Sequence, residues 1–79
     1  MDRTDLQQLL TTAFPEAVIE VQSGDGVHFA ARIVDASFAG QGRVARHQAV
    51  YAALGERVGG EIHALSLQTL TPDEVGADA

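Results

Sequence analysis

The alternation of apolar and polar positions divides the chain into five main elements. Leu6, Leu9, Leu10 and Ala13 recur at i, i+3, i+4 and i+7, the spacing of one helical stripe, and Pro15 biases Phe14 out of helical geometry. Thr4 with Gln7 three residues on has capping-box spacing, so a first helix is expected over 5–13. Two Val-, Ile- and Phe-bearing segments, 17–22 and 28–35, flank Ser23-Gly24-Asp25-Gly26, whose residues tolerate positive φ, and the whole reads as a β-hairpin. In the second segment Phe29, Ala31 and Ile33 share one face and His28, Ala30, Arg32 and Val34 the other. Arg32 marks the latter as solvated, which predicts a sheet covered on one face only.

After the loop Phe38-Ala39-Gly40-Gln41-Gly42, residues Val44, His47, Val50, Tyr51, Leu54 and Val58 recur at helical spacing. They predict a second helix over about 43–57, stopped by Gly59-Gly60. The stretch 62–70 returns as a strand, and a strand-helix-strand crossover implies parallel pairing. Thr71-Pro72-Asp73-Glu74 is a further helix-start signature, but only Val75 precedes Gly76. A short turn and a disordered tail over about 76–79 are expected there.

A chain of 79 residues holds one domain with a thin core, and two layers are the natural architecture. With no Trp, the aromatic bulk comes from Phe14, Phe29, Phe38 and Tyr51, each expected to be structural. No apolar run approaches the roughly 20 residues of a membrane span, and the N-terminus lacks a signal-peptide pattern; the protein is read as cytoplasmic, without a membrane partner. Having no cysteine, the chain forms no disulfide and offers no thiolate to a metal, so any sulfur ligand comes from elsewhere. A net charge of −6, from eleven carboxylates against five arginines, opposes long-range attraction to phosphate backbones.

Several strings in this order resemble the BolA family: Gly24-Asp25-Gly26-Val27-His28-Phe29, Phe38-Ala39-Gly40, Arg46-His47-Gln48-Ala49-Val50-Tyr51, and Ile62-His63-Ala64-Leu65 leading into Thr69-Leu70-Thr71-Pro72-Asp73-Glu74. The resemblance covers nearly the whole chain. It implies an α+β domain of αββαβ order over 1–79, similar to the class II KH fold, with helices packed on one face of a three-stranded mixed sheet. It also implies pairing with a monothiol glutaredoxin, either without metal or sharing a 2Fe-2S cluster, and some family members are described as transcriptional or morphological regulators. No cofactor is expected in the isolated protein, which is read as a monomer or weak homodimer.

The same resemblance makes His63 the cluster ligand. A second family ligand often comes from a His or Cys in the first hairpin loop; here that loop has neither, so the second ligand is absent or is His28. Neutral imidazole is a competent iron ligand, and one His with thiolates from a partner and glutathione completes a shared cluster. The structural alternatives are a half-buried His63 sharing a strand face with Leu65 and Leu67, and a His28 on the hairpin rim. His47 is read as a core-edge residue, and Asp25 as a turn residue whose carboxylate bonds its own backbone.

Arg43 and Arg46, at the start of the second helix beside Gly40-Gln41-Gly42, are candidates for binding nucleic-acid phosphate or for facing a protein partner. KH modules clamp nucleic acid with a Gly-x-x-Gly loop, whereas these glycines are only two apart. Catalysis is the least supported class: no motif activates Ser23, Ser37 or Ser66, and His28, His47 and His63 fall on different elements.

Overall fold

The computed structural model describes the backbone of residues 1–78 and the side chains of residues 1–76. Helix α1 spans Arg3–Ala13, followed by strands β1 (Val18–Gln22) and β2 (His28–Val34). A 3-10 turn, Ala36–Phe38, precedes α2 (Arg43–Leu54); a second 3-10 turn, Gly55–Arg57, leads on to β3 (Ala64–Leu70) and α3 (Pro72–Asp78). β1 and β2 pair antiparallel, β2 and β3 parallel, in the order β1-β2-β3. This is the mixed three-stranded sheet expected from the crossover.

α1 and α2 cover one face, where Leu6, Leu10, Ile19, Val21, Phe29, Ala31, Ile33, Phe38, Val50, Leu54 and Ile62 form the core. On the other face Glu20, Arg32 and Gln68 stand in register, and Gln22, Ala30 and Ser66 beside them, as the placement of Arg32 predicted. No helix among the described residues is long and apolar enough to cross a membrane.

Element boundaries moved for local reasons. The capping box of α1 is Asp2 with Asp5, not Thr4 with Gln7: each side chain accepts from the other's backbone N–H, so the helix begins two residues earlier than expected. α2 ends at Leu54 because Gly55 takes a φ of 61°. Ile62 is fully buried but belongs to a turn closed by Ile62 N–H to Arg57 and Gly59 N–H to Ile62, so β3 starts two residues later than expected.

The apolar stripe of α2 is also rotated. Its buried positions are Arg46, Val50 and Leu54, whereas Val44 is 69% exposed and Tyr51 40% exposed. Tyr51 is therefore not the core aromatic that composition suggested. Phe38, expected in a loop, is buried by a 3-10 turn whose cap is Asp35, accepting from the Ser37 N–H at 2.9 Å. Its ring lies 5.7 Å from that of Phe14.

The short C-terminal turn is in fact α3, which extends through 76 to Asp78 in place of the expected tail; Ala79 lies outside the described residues. Its Thr71–Glu74 capping box forms as the sequence indicated, with Thr71 N–H donating to Glu74 Oε1 at 2.7 Å and Glu74 N–H to Thr71 Oγ1 at 3.2 Å. A helix this short is marginal alone, and a side chain from α2 anchors it.

Candidate functional site

The β1–β2 turn positions the first of two histidines. Ser23 Oγ accepts from the Gly26 N–H at 2.9 Å, and Gly26 takes a φ of 76°, where a Cβ would be strained. Asp25 Oδ1 accepts from the backbone N–H groups of Val27 and His28 at 3.0 and 2.8 Å, and its Oδ2 lies 2.6 Å from His28 Nδ1. The backbone bonds from His28 and Val27, followed by the bond to the His28 ring, hold the Asp25 carboxyl well below the ordinary aspartate range. An ionised carboxylate only accepts, so His28 Nδ1 carries a proton and, in the neutral ring, Nε2 is the free acceptor. The His28 side chain is 66% exposed.

His63 stands immediately before β3 rather than inside it. Its backbone N–H donates to the Val27 carbonyl at 3.0 Å, the residue is exposed, and no hydrogen bond engages its ring among the described residues. The half-burial expected for His63 is thereby corrected, although the residue keeps the strand parity of Leu65 and Leu67. The parallel register sets His28 opposite Ala64, so both histidines come to one end of the sheet. Strand alternation nevertheless puts His28 on the open face with Ala64 and leaves His63 on the other parity; they share an end, not a face. His47 is half-buried at the core edge, as expected. Among the described residues no three His, Cys, Asp or Glu side chains gather to hold a metal ion.

Arg46 has the opposite fate. Only 9% of it is exposed. Its Nε donates to the Gln41 carbonyl at 2.8 Å, Nη1 to the Thr69 carbonyl at 3.1 Å and to Glu74 Oε1 at 2.6 Å, and Nη2 to Glu74 Oε2 at 3.3 Å. Its guanidinium carbon sits 5.9 Å from the centre of the Phe38 ring. Arg46, followed by the Thr71 N–H, holds the Glu74 carboxyl below its ordinary range. The assignment of Arg46 to nucleic-acid phosphate is corrected: its donors are spent on tying α3 and β3 to α2. Arg43 stays exposed, and one arginine on a chain of net charge −6 gives little counterion-release affinity.

Sequence reasoning located both histidines and missed the clamp. The available signals were the i, i+4, i+8 spacing of Arg46 with Val50 and Leu54, and Glu74 at the third position of a capping box. Nothing in the sequence pattern links position 46 to position 74.

An α+β domain with helices on one side of a mixed three-stranded sheet, carrying exposed histidines at the leading ends of two parallel strands, is the class these observations define. The sequence model described as BolA-like protein matches residues 10–74. The chain belongs to the BolA-like family. It is 41% identical over 75 residues to an uncharacterized protein encoded in the rpoN-murA intergenic region of Acinetobacter guillouiae, covering 94% of this chain and 89% of that one. It is 37% identical over 79 residues to the acid stress protein IbaG of Escherichia coli K12, covering 99% and 93% of the two chains. The solved structure of a BolA homologue from Coxiella burnetii superposes with a TM-score of 0.84 at 40% identity, covering 96% of this chain and 97% of that one.

Proposed function

We propose that this protein is a non-enzymatic adaptor that docks a monothiol glutaredoxin and offers His63 as a ligand to a 2Fe-2S cluster shared with that partner. The observation that carries the reading is His63 itself. Its backbone is pinned to Val27 at the mouth of β3 while its ring is exposed and engaged by no other side chain among the described residues. Such a residue is held through its backbone while its imidazole is free to ligate.

The donor set fits a shared group rather than a resident one. The chain has no cysteine, so thiolates must come from the partner and glutathione, with His63 adding one nitrogen. When bound, the cluster would supply redox and iron-trafficking chemistry; the residues of this chain would present the His63 imidazole at the mouth of β3 and bind the partner. His28 is poised to ligate through Nε2, since Asp25 holds its Nδ1 in the manner of a carboxylate behind a metal-binding histidine. Its different face makes it the lesser candidate for the same cluster. The stress role in the name of the Escherichia coli relative accords with a regulatory task.

The test is anaerobic co-purification with a monothiol glutaredoxin, recording visible absorption and circular dichroism for wild type and His63→Ala. A coloured heterodimer whose spectrum is altered or lost in the variant is expected. An unchanged spectrum removes the assignment of His63. If no complex forms, and DNA binding persists at physiological salt, the regulator reading through Arg43 takes its place.

A further inference from the structure

The sheet has two outer edges, and they are finished differently. β1 lies against α1, and its Ile19 carbonyl accepts from the Gln7 side-chain amide at 3.2 Å. β3 has less protection. Its Ala64 N–H donates to Val27 and its Leu70 carbonyl accepts from Asp35, so the backbone groups of Ala64, Ser66, Gln68 and Leu70 point at β2. Alternation turns those of Leu65, Leu67 and Thr69 outward. Arg46 takes the Thr69 carbonyl; the N–H and C=O groups of Leu65 and Leu67 have no backbone partner beyond the sheet among the described residues.

β3 is seven residues long with no charge and no proline, so it lacks two of the usual devices that discourage strand addition. The groove beside it is walled by Arg43 and His47 of α2 and closed at one end by the Arg46–Glu74 pair. Helical geometry places Tyr51 and Val44 further round on the flank of α2 that bears His47, and these are two of the four large apolar residues left exposed. Arg43 makes no salt bridge among the described residues. α2 thus supplies an unspent positive charge next to an unpaired strand, with exposed apolar side chains further round the helix and His63 at the strand's leading end.

We propose that the outer edge of β3 accepts an extended segment of the partner as a fourth strand, its backbone pairing with Leu65 and Leu67 and a carboxylate side chain meeting Arg43. This rests on the adaptor reading above and specifies how docking occurs. The carboxylate follows from Arg43, and the limited length from the clamp at Thr69, where pairing must stop. A second copy of this chain suits the edge less well, because symmetric pairing would bring together two chains of net charge −6.

The experiment is residue-resolved amide hydrogen exchange on the full-length protein, alone and with an apo monothiol glutaredoxin. Free, the odd-numbered amides, those of Leu65 and Leu67, should exchange quickly while those of Ser66 and Gln68 are protected. On binding, the amides of Leu65 and Leu67 should slow by about tenfold or more and those of Thr69 and the even-numbered residues change little, the alternation that strand addition short of the clamp imposes. Arg43→Glu should weaken the complex by about five- to tenfold while leaving the urea midpoint unchanged. A complex in which the odd-numbered amides stay fast overturns this proposal and leaves the adaptor reading standing. Failure to form any complex overturns both. Protection of the odd-numbered amides in the free protein, with a dimer mass, assigns the edge to a second copy and overturns the proposal as well.

Discussion

The two ends of β3 spend their polar side chains in opposite ways. At its C-terminal end Arg46 satisfies the Thr69 carbonyl, the Gln41 carbonyl and both oxygens of Glu74, and is nearly buried in doing so. At its N-terminal end His63 and His28 stand in solvent, one fixed only through its backbone and the other through Asp25. A buried, fully bonded charge contributes to architecture; an exposed, positioned imidazole contributes little to stability and is available to a ligand. Both ends derive from family-like strings in the sequence, yet only one leaves its polar side chains exposed.

The comparison is most easily broken at Arg46. Arg46→Ala removes the donors to two carbonyls and the anchor of α3, and should lower the free energy of unfolding by roughly 2–4 kcal/mol, measured by urea denaturation. Arg43→Ala, on the exposed turn of the same helix, should stay within about 0.5 kcal/mol of wild type. Equal effects at the two arginines would erase the distinction drawn between them.

A smaller effect is expected at Glu74. Its carboxyl is held below its ordinary range in the folded state by Arg46 and the Thr71 N–H, so its contribution is present above the unfolded value, about 4.3, and is lost as pH falls through the folded value. Glu74→Gln should destabilise the protein modestly at pH 7 and flatten the acid limb of a stability-against-pH curve. A wild-type acid limb that the variant reproduces unchanged would show that the pair does not operate in solution.

Much of the fold was legible because periodicity reports burial directly. The hairpin, the one-sided sheet, the parallel crossover and the Thr71–Glu74 box followed from local patterns that tertiary packing respected. Elements went astray where a non-local contact decided. The stripe of α2 was drawn through Val44 and Tyr51 because apolar residues count as core, but the buried row runs through Arg46, whose charge is satisfied by residues 23 and 28 positions away. α3 looked too short to persist for the same reason: its anchor lies on α2. Asp25 was placed correctly in the turn and His28 at the start of the second strand, while the side-chain bond that fixes the His28 tautomer emerged only from the geometry. His63 was found through resemblance; its exposure came from the turn at 59–62, which delays the start of β3.

The most direct test of this division is to measure stability and partner chemistry together for His63→Ala. An unfolding free energy within about 0.5 kcal/mol of wild type is expected, because the residue is exposed and no hydrogen bond engages its ring among the described residues, alongside a changed or lost cluster spectrum in the complex with a monothiol glutaredoxin. A loss of about 1.5 kcal/mol or more with an unaltered spectrum would contradict it, making His63 part of the architecture and leaving the open end of the sheet without its function.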